Sequence, residues 1–146
     1  MKFANEIKIK LPVNKVVELF DNPDNLKLWM KGLKSFEHIS GTPGQPGAKS
    51  RLVFEMGKRK MEMIETVTVR NLPHEFSGTY ETNGVVNLVK NKFIAESDQV
   101  THYISEQEFQ FSGFMKIIGF LMSGTLKKQS MKYLEDFKSF AESHRN

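Results

Sequence analysis

About eighty consecutive residues, 32–111, alternate apolar and polar side chains with a period of two. This alternation is typical of β-strands that have one buried face. Short clusters of Gly, Pro, Asn and Asp interrupt the pattern and mark turns. Because successive strands joined by short turns must pair antiparallel, the region predicts six antiparallel strands, at residues 33–42, 48–56, 60–72, 75–82, 85–96 and 100–111.

Helical periodicity flanks this region on both sides. A first strand is predicted at residues 3–11, and Pro12 opens a short helix after it. Asn22-Pro23-Asp24 ends that helix and starts a second short one, since Asn22 can cap it and Pro23 suits the first helical position. From residue 113 to residue 143 the apolar period is 3.6, which predicts one uninterrupted helix of about 30 residues.

One turn has a specific predicted geometry. Asn83-Gly84 separates two predicted strands by two residues, which is the strongest short signal for a tight hairpin. The favoured turn for this pair is type I′, in which both central residues have positive φ.

Composition restricts the class of protein. The chain has 146 residues, 39% of them hydrophobic, which suits a single domain, residues 1–146, with a real core. The absence of cysteine excludes disulfides, a thiolate nucleophile and zinc sites that need sulfur. The net charge of +4 is too mild to indicate nucleic-acid binding. The charged start and the short apolar stretches predict a cytoplasmic protein without stable membrane insertion.

The predicted sheet is wider than the predicted C-terminal helix can cover. Seven strands of about ten residues make a face roughly 33 Å on a side. One helix with its side chains covers a band of only about 10–12 Å. We therefore expect an α+β fold in which a curved seven-stranded antiparallel sheet wraps around the C-terminal helix and leaves a cavity between them.

The predicted inward side of the sheet carries polar groups among apolar ones. Glu65 shares its side with Met61 and Met63, unless a bulge turns it outward. An unpaired polar group in a dry core costs about 1–3 kcal/mol, and a solvated or ligand-filled cavity removes that cost. The residues predicted to line this cavity are Met61, Met63, Glu65, Tyr80, Asn87, Val89, Asn91, Tyr103, Gln107, Phe109, Ile118, Leu121 and Met122.

Several segments occur in a characteristic order along the chain. They are Ile7-Lys8-Ile9 leading to Pro12, Asp21-Asn22-Pro23 followed by Leu26 and Trp29, Gly41 to Pro46-Gly47-Ala48, Glu65-Thr66-Val67 with its exit at Leu72-Pro73, and the long closing helix. In this order the whole chain resembles the START-like (SRPBCC) superfamily of helix-grip proteins, which includes polyketide cyclase/dehydrase-like and lipid-transfer members.

The resemblance implies a hydrophobic cavity between the sheet and the C-terminal helix. It also implies that the turns at Gly57 and at Asn83-Gly84 border the mouth of that cavity. The superfamily has no shared catalytic motif, so the resemblance assigns no catalytic residue here.

The residues that usually hold metals or act as nucleophiles lack the required spacing. His38, His74, His102 and His144 form no His-x-His or His-x-x-x-His pair. No Gly-x-Ser-x-Gly sequence is present. We therefore expect neither a metal site nor a cofactor.

Gly119 to Gly124 has the glycine spacing of a phosphate-binding loop, but Thr125 stands where that loop needs lysine. The segment also lies inside a helical pattern. Two glycines in a helix favour close approach of the sheet or room for a ligand, or they are simply tolerated.

Three functions fit these observations. The first is binding or transport of a small, mostly hydrophobic ligand, such as a lipid, a polyketide-like molecule or an aromatic metabolite. The second is a cofactor-independent cyclase, dehydratase or isomerase with Glu65 as acid or base and Tyr80 or Tyr103 as donor. The third is a protein-interaction module that uses the apolar half of the C-terminal helix, and a homodimer formed through that helix is left open.

Overall fold

A computed structural model describes residues 1–144. Seven strands form one sheet in the order β1-β7-β6-β5-β4-β3-β2, and every neighbouring pair is antiparallel. This confirms the predicted sheet. The strands are β1 (Lys2–Ile9), β2 (Leu33–Ser40), β3 (Lys49–Met56), β4 (Arg59–Asn71), β5 (Glu75–Thr82), β6 (Val85–Ser97) and β7 (Val100–Phe111).

The helices lie before and after the six consecutive strands β2 to β7. Asn22 caps the short turn after the first helix, since its side-chain oxygen accepts a 3.0 Å hydrogen bond from the Asp24 amide. None of the helices within residues 1–144 has both the length and the apolar character that crossing a bilayer requires. The helical elements are α1 (Val13–Asp21), a 3-10 turn (Pro23–Asn25), α2 (Leu26–Trp29), α3 (Met115–Leu121) and α4 (Ser123–Glu142).

The C-terminal helical region is divided in two, whereas its periodicity predicts one uninterrupted helix. Met122 separates α3 from α4, with φ −102° and ψ 8°. The next three residues, 123–125, are Ser, Gly and Thr, which are all poor helix formers. Weak local preference at this point allows the helix to be interrupted.

The tight turn forms where the sequence predicts it, but its type differs. Thr82 pairs with Val85, so Asn83 and Gly84 alone make the connection. Gly84 has φ +73°, whereas Asn83 does not have positive φ. The turn is therefore not type I′, because that type needs positive φ at both central positions.

The core consists of two clusters on the inner side of the sheet. The smaller cluster contains Leu33, Leu52 and Phe54, from β2 and β3. The larger cluster joins α1, α2 and the C-terminal half of α4 to the strands at the other edge of the sheet. Its buried members are Ile9, Leu11, Val16, Leu19, Trp29, Phe93, Tyr103, Leu134, Phe137 and Ala141.

Candidate functional site

Between the two clusters the inner side of the sheet is only partly covered. Register places Glu65 opposite Tyr80, Tyr80 opposite Asn87 and Asn87 opposite Phe109, so these side chains share one face. We call this region the inner-face cleft. Its lining residues, each partly exposed, are Met63, Glu65, Tyr80, Asn87, Val89, Gln107 and Phe109.

The position of α4 explains why this region stays open. The buried residues of α4 begin at Ser130 and continue through Leu134, Phe137 and Ala141. Residues 123–129 are exposed apart from the half-buried Leu126. The helix therefore covers the sheet with its C-terminal part and leaves the floor of the cleft partly uncovered.

Glu65 and Tyr80 form the central polar pair of the cleft. The Tyr80 hydroxyl donates a 2.7 Å hydrogen bond to Glu65 Oε2. Burial raises the pKa of Glu65 above its ordinary value, and the hydrogen bond from Tyr80 partly opposes that rise. Burial and the adjacent carboxylate together raise the pKa of Tyr80. At neutral pH the phenol is thus protonated, and its one proton is donated to Glu65.

The strand bulge that would have turned Glu65 outward does occur, but it lies further along β4. The register shifts between Val67 and Val69, after Glu65 has already paired with Tyr80. Glu65 consequently keeps the parity of Met63 and faces the inner side of the sheet.

A second polar group surrounds Gln107. Gln107 Oε1 accepts 3.3 Å hydrogen bonds from Asn87 Nδ2 and from the hydroxyl of Ser130, while Gln107 Nε2 donates to Ser105. Asn87 Oδ1 is buried and has no hydrogen-bond donor among residues 1–144. Such an acceptor is costly to leave unpaired, and a ligand donor would pair it only if the side chains that bury it move.

The sequence analysis did not predict Ser105 or Ser130 as part of this site. Ser105 follows the inward parity of β7, which was visible in the sequence. Ser130 comes from α4, and it reaches Gln107 only because the helix crosses the sheet at that point. No periodicity within the sequence indicates that crossing.

Asn91 and Tyr103, also predicted to line the cavity, lie in the packed core. The Tyr103 hydroxyl donates a 2.8 Å hydrogen bond to Asn91 Oδ1, and both residues are buried. The Tyr103 ring stacks on Phe93 with centroids 4.7 Å apart. Burial raises the pKa of Tyr103 well above its ordinary value. This pair therefore lies in the core and does not line the exposed surface of the cleft.

The remaining predicted residues lie at the margin of the cleft. Met61 is 41% exposed at the start of β4. On the C-terminal helices, Ile118 is half-buried, whereas Leu121 and Met122 are exposed. Leu121 points its side chain largely into solvent in this structure.

Two hollows lie near the cleft without including its central pair. One, of about 150 Å³, is lined by Lys31, Met56, Gln129, Lys132, Tyr133 and Asp136. The other, of about 670 Å³, lies over the first residues of β4 and the turn at Asn83 and Gly84. Neither is lined by Glu65 or Tyr80, so neither hollow coincides with the central pair of the cleft.

Comparison with known proteins identifies the fold. No family model matches the chain, and no curated protein matches it. The chain is similar in structure to the Zhui aromatase/cyclase from Streptomyces sp. R1128, with a TM-score of 0.81, 11% identity and coverage of 97% of this chain and 93% of that one. The chain has the helix-grip fold.

Other helix-grip structures also align over most of their length. Ara h 8.0201 superposes with a TM-score of 0.77 at 13% identity, over 98% of each chain. Norcoclaurine synthase from Thalictrum flavum superposes with a TM-score of 0.73 at 15% identity, over 100% of this chain and 88% of that one. The resemblance drawn from the sequence is thereby confirmed at the level of the fold.

Proposed function

We propose that this helix-grip chain acts as a single domain that binds a small, mostly hydrophobic molecule in the inner-face cleft. The observation that supports this proposal is the partly exposed floor of the cleft, where Met63 and Tyr80 pack against the smaller apolar cluster without being buried. A protein of this size ordinarily packs such a surface, and an uncovered apolar surface with a few convergent polar groups is typical of ligand sites.

The cleft suits a ligand with an apolar body and one or two polar groups. Met63, Val89 and Phe109 offer apolar surface, and its burial contributes about 25 cal/mol per Å². Asn87 Oδ1 is buried without a donor among residues 1–144, and a ligand hydroxyl or amine would reach it once the side chains over it move. The pair of Glu65 and Tyr80 offers a second polar contact.

The structural relatives support a small organic ligand. The norcoclaurine synthase structure contains dopamine and hydroxybenzaldehyde, and the Zhui protein is an aromatase/cyclase. We infer that an aromatic or polyketide-like molecule is a suitable class to test first.

A titration with the fluorescent probe 1-anilinonaphthalene-8-sulfonate tests the proposal. Val89→Trp fills the floor of the cleft, so we expect it to abolish probe binding. Lys90→Trp places the same side chain at the next residue of β6, on the exposed outer side, and should leave binding unchanged. Equal affinity in both variants would refute binding in the cleft.

Native mass spectrometry of gently purified protein is a second test. It would identify a molecule that co-purifies with the wild type but not with Val89→Trp.

Proton-transfer catalysis is a second candidate, favoured by the raised pKa of Glu65 beside a protonated phenol. A carboxylate in this environment could remove a proton from an acidic C–H bond. Once Glu65 is protonated, the Tyr80 hydroxyl would turn from Glu65 and donate its hydrogen bond to the resulting oxyanion. Such a site would perform cyclase, dehydratase or isomerase chemistry without a cofactor.

Deuterium exchange into 1-phenylbutane-1,3-dione, followed by NMR, tests this candidate. Glu65→Gln should remove any exchange above the buffer rate and leave probe affinity intact. Glu62→Gln, a matched change at an exposed position of the same strand, should retain exchange. If wild type and Glu65→Gln exchange at the buffer rate alike, proton abstraction by Glu65 is refuted.

A further inference from the structure

Helix α3 exposes most of its large apolar side chains. Phe114, just before its first residue, is 73% exposed, and Ile117, Phe120 and Leu121 within it are 60%, 82% and 75% exposed. Its opposite side is fixed to the sheet, because Gly119 is buried against the ring of Phe111. The outward face is therefore an apolar surface that no part of residues 1–144 covers.

Basic residues surround this apolar face. The turn between β3 and β4, the turn between β5 and β6 and the exit of β7 into α3 all lie at one end of the antiparallel sheet. Segments 56–61, 82–85 and 109–129 form this end and the start of α4, and we call them the basic end. They contain six of the chain's 21 Lys and Arg residues and none of its 17 Asp and Glu residues. The six are Lys58, Arg59, Lys60, Lys116, Lys127 and Lys128.

These cations are available to an outside partner. All six are exposed, and none forms an ion pair with an acidic residue within the described part of the chain. By contrast, Lys132, one turn further along α4, is paired with Asp136 at 3.4 Å. Among residues 1–144, none of the six cations is thus held in an ion pair, although Glu55 lies opposite Lys60 in the register and Glu62 and Glu81 line the same hollow as Lys60.

We propose that α3 and the basic end dock on the surface of a bilayer that contains anionic lipids. Phe114, Ile117 and Phe120 insert at the level of the headgroups, and the lysines contact the anionic headgroups around them. A short helix with large apolar residues on one face and cations beside it has the features of an interfacial helix. Docking of this kind is reversible and needs no segment that spans the membrane.

The positive charge of the basic end favours an anionic bilayer over a second copy of the chain as the partner of α3. A two-fold symmetric dimer through α3 would bring two basic ends together, and like charges would oppose the contact. An anionic bilayer instead supplies the opposite charge and an apolar layer at the same surface. The docking site is separate from the cleft, so its failure would leave ligand binding untouched.

Flotation with lipid vesicles tests the apolar part of the proposal. We expect wild type to float with vesicles that contain about 30% phosphatidylglycerol in phosphatidylcholine, and to bind phosphatidylcholine alone much less. Ile117→Ser with Phe120→Ser should lower the partition coefficient about tenfold or more. Ile94→Ser, at a 48% exposed apolar position near the other end of the sheet, should have no effect.

The charged part is tested in the same assay. Lys127→Gln with Lys128→Gln should weaken binding to anionic vesicles about thirtyfold. The control pair, Lys10→Gln with Lys49→Gln, removes the same charge at the opposite end of the sheet and should bind as wild type does.

Three results would overturn the proposal. One is equal binding to neutral and anionic vesicles. Another is unchanged vesicle binding after Ile117→Ser with Phe120→Ser, which would indicate simple attraction of the cations to any polyanion. The last is a dimer at micromolar concentration in sedimentation, lost in that apolar double variant, because the second copy would then be the occupant of this face.

Discussion

The ring of Phe111 occupies the space where a side chain at Gly119 would begin. A Cβ atom at Gly119 would lie 2.6 Å from three ring carbons, which is closer than any stable contact allows. Gly124 differs, because a Cβ atom there would meet nothing within 4 Å. Of the two helix glycines, the first therefore permits close approach of the sheet and the second is simply tolerated.

Alanine at these two glycines should have opposite effects. Gly119→Ala forces the Phe111 ring or α3 to move, so we expect a loss of about 1–3 kcal/mol from overpacking, reduced by the gain in helix propensity. Gly124→Ala should raise the free energy of unfolding by up to about 1 kcal/mol. Chemical denaturation measures both, and hydrogen exchange should show faster exchange of α3 amides in the first variant only. Stabilisation by Gly119→Ala would contradict the packing described here.

Arg70 and Asp21 join β4 to the end of α1 by a bidentate contact. Arg70 Nη1 and Nη2 donate to the two carboxylate oxygens at 2.8 and 2.6 Å, and the carboxylate raises the pKa of the guanidinium. We expect Arg70→Lys to cost about 1 kcal/mol, because an ammonium group cannot reproduce the paired geometry. A double-mutant cycle with Asp21→Asn measures the coupling. Zero coupling energy would show that the contact contributes nothing to stability.

Glu65 should make stability depend on pH in a definite direction. Its pKa in the folded state lies above the ordinary value of 4.5, so between those two values the folded state binds more protons than the unfolded state. The contribution of Glu65 to stability is therefore fully present below 4.5 and is lost as pH rises through the folded pKa.

Denaturation of wild type and Glu65→Gln from about pH 4 to about pH 8 measures this contribution. Glutamine keeps a side-chain oxygen that can accept the hydrogen bond from the Tyr80 hydroxyl. The stability of wild type relative to Glu65→Gln should fall with rising pH and then level off. If the stability of wild type relative to Glu65→Gln rises with pH instead, the folded protein lowers the pKa of Glu65. Glu62→Gln serves as the control at an exposed position.

Loss of the hydrogen bond between Tyr103 and Asn91 should lower stability mainly because one buried partner is left without the other. Tyr103→Phe leaves Asn91 Oδ1 buried without its donor, which costs about 1–3 kcal/mol. Replacing both residues, with Asn91→Leu in the Tyr103→Phe background, removes the unpaired acceptor and should recover part of that loss. If the double variant is less stable than the sum of the single changes, packing rather than hydrogen bonding determines the cost.

Most of the strand pattern was predictable, because alternation of apolar and polar residues is a local property. Predicted and observed strands differ by at most two residues at their ends. The placement of Glu65 on the inner side follows from the same alternation, since the β4 bulge lies beyond it. The division of the C-terminal helix at Met122 was not predicted, because apolar periodicity continues across it although Met122 leaves the helical conformation.

The candidate site was only partly predictable. Parity correctly puts Glu65, Tyr80, Asn87 and Gln107 on one face, but it does not distinguish the buried pair of Asn91 and Tyr103 from the partly open floor beside it. That distinction depends on how far α4 extends over the sheet. The hydrogen bond from Ser130 to Gln107 depends on the same crossing.

The sequence by itself determined which segments are strands, which are helices and which side of each strand is apolar, because these properties depend on neighbours within a few residues. Only the tertiary structure decided that α4 covers the sheet with its C-terminal half, that the Phe111 ring contacts Gly119 and that the outward face of α3 remains exposed. Those outcomes depend on contacts between residues far apart in the chain, whose mutual positions are fixed by packing and not by local pattern.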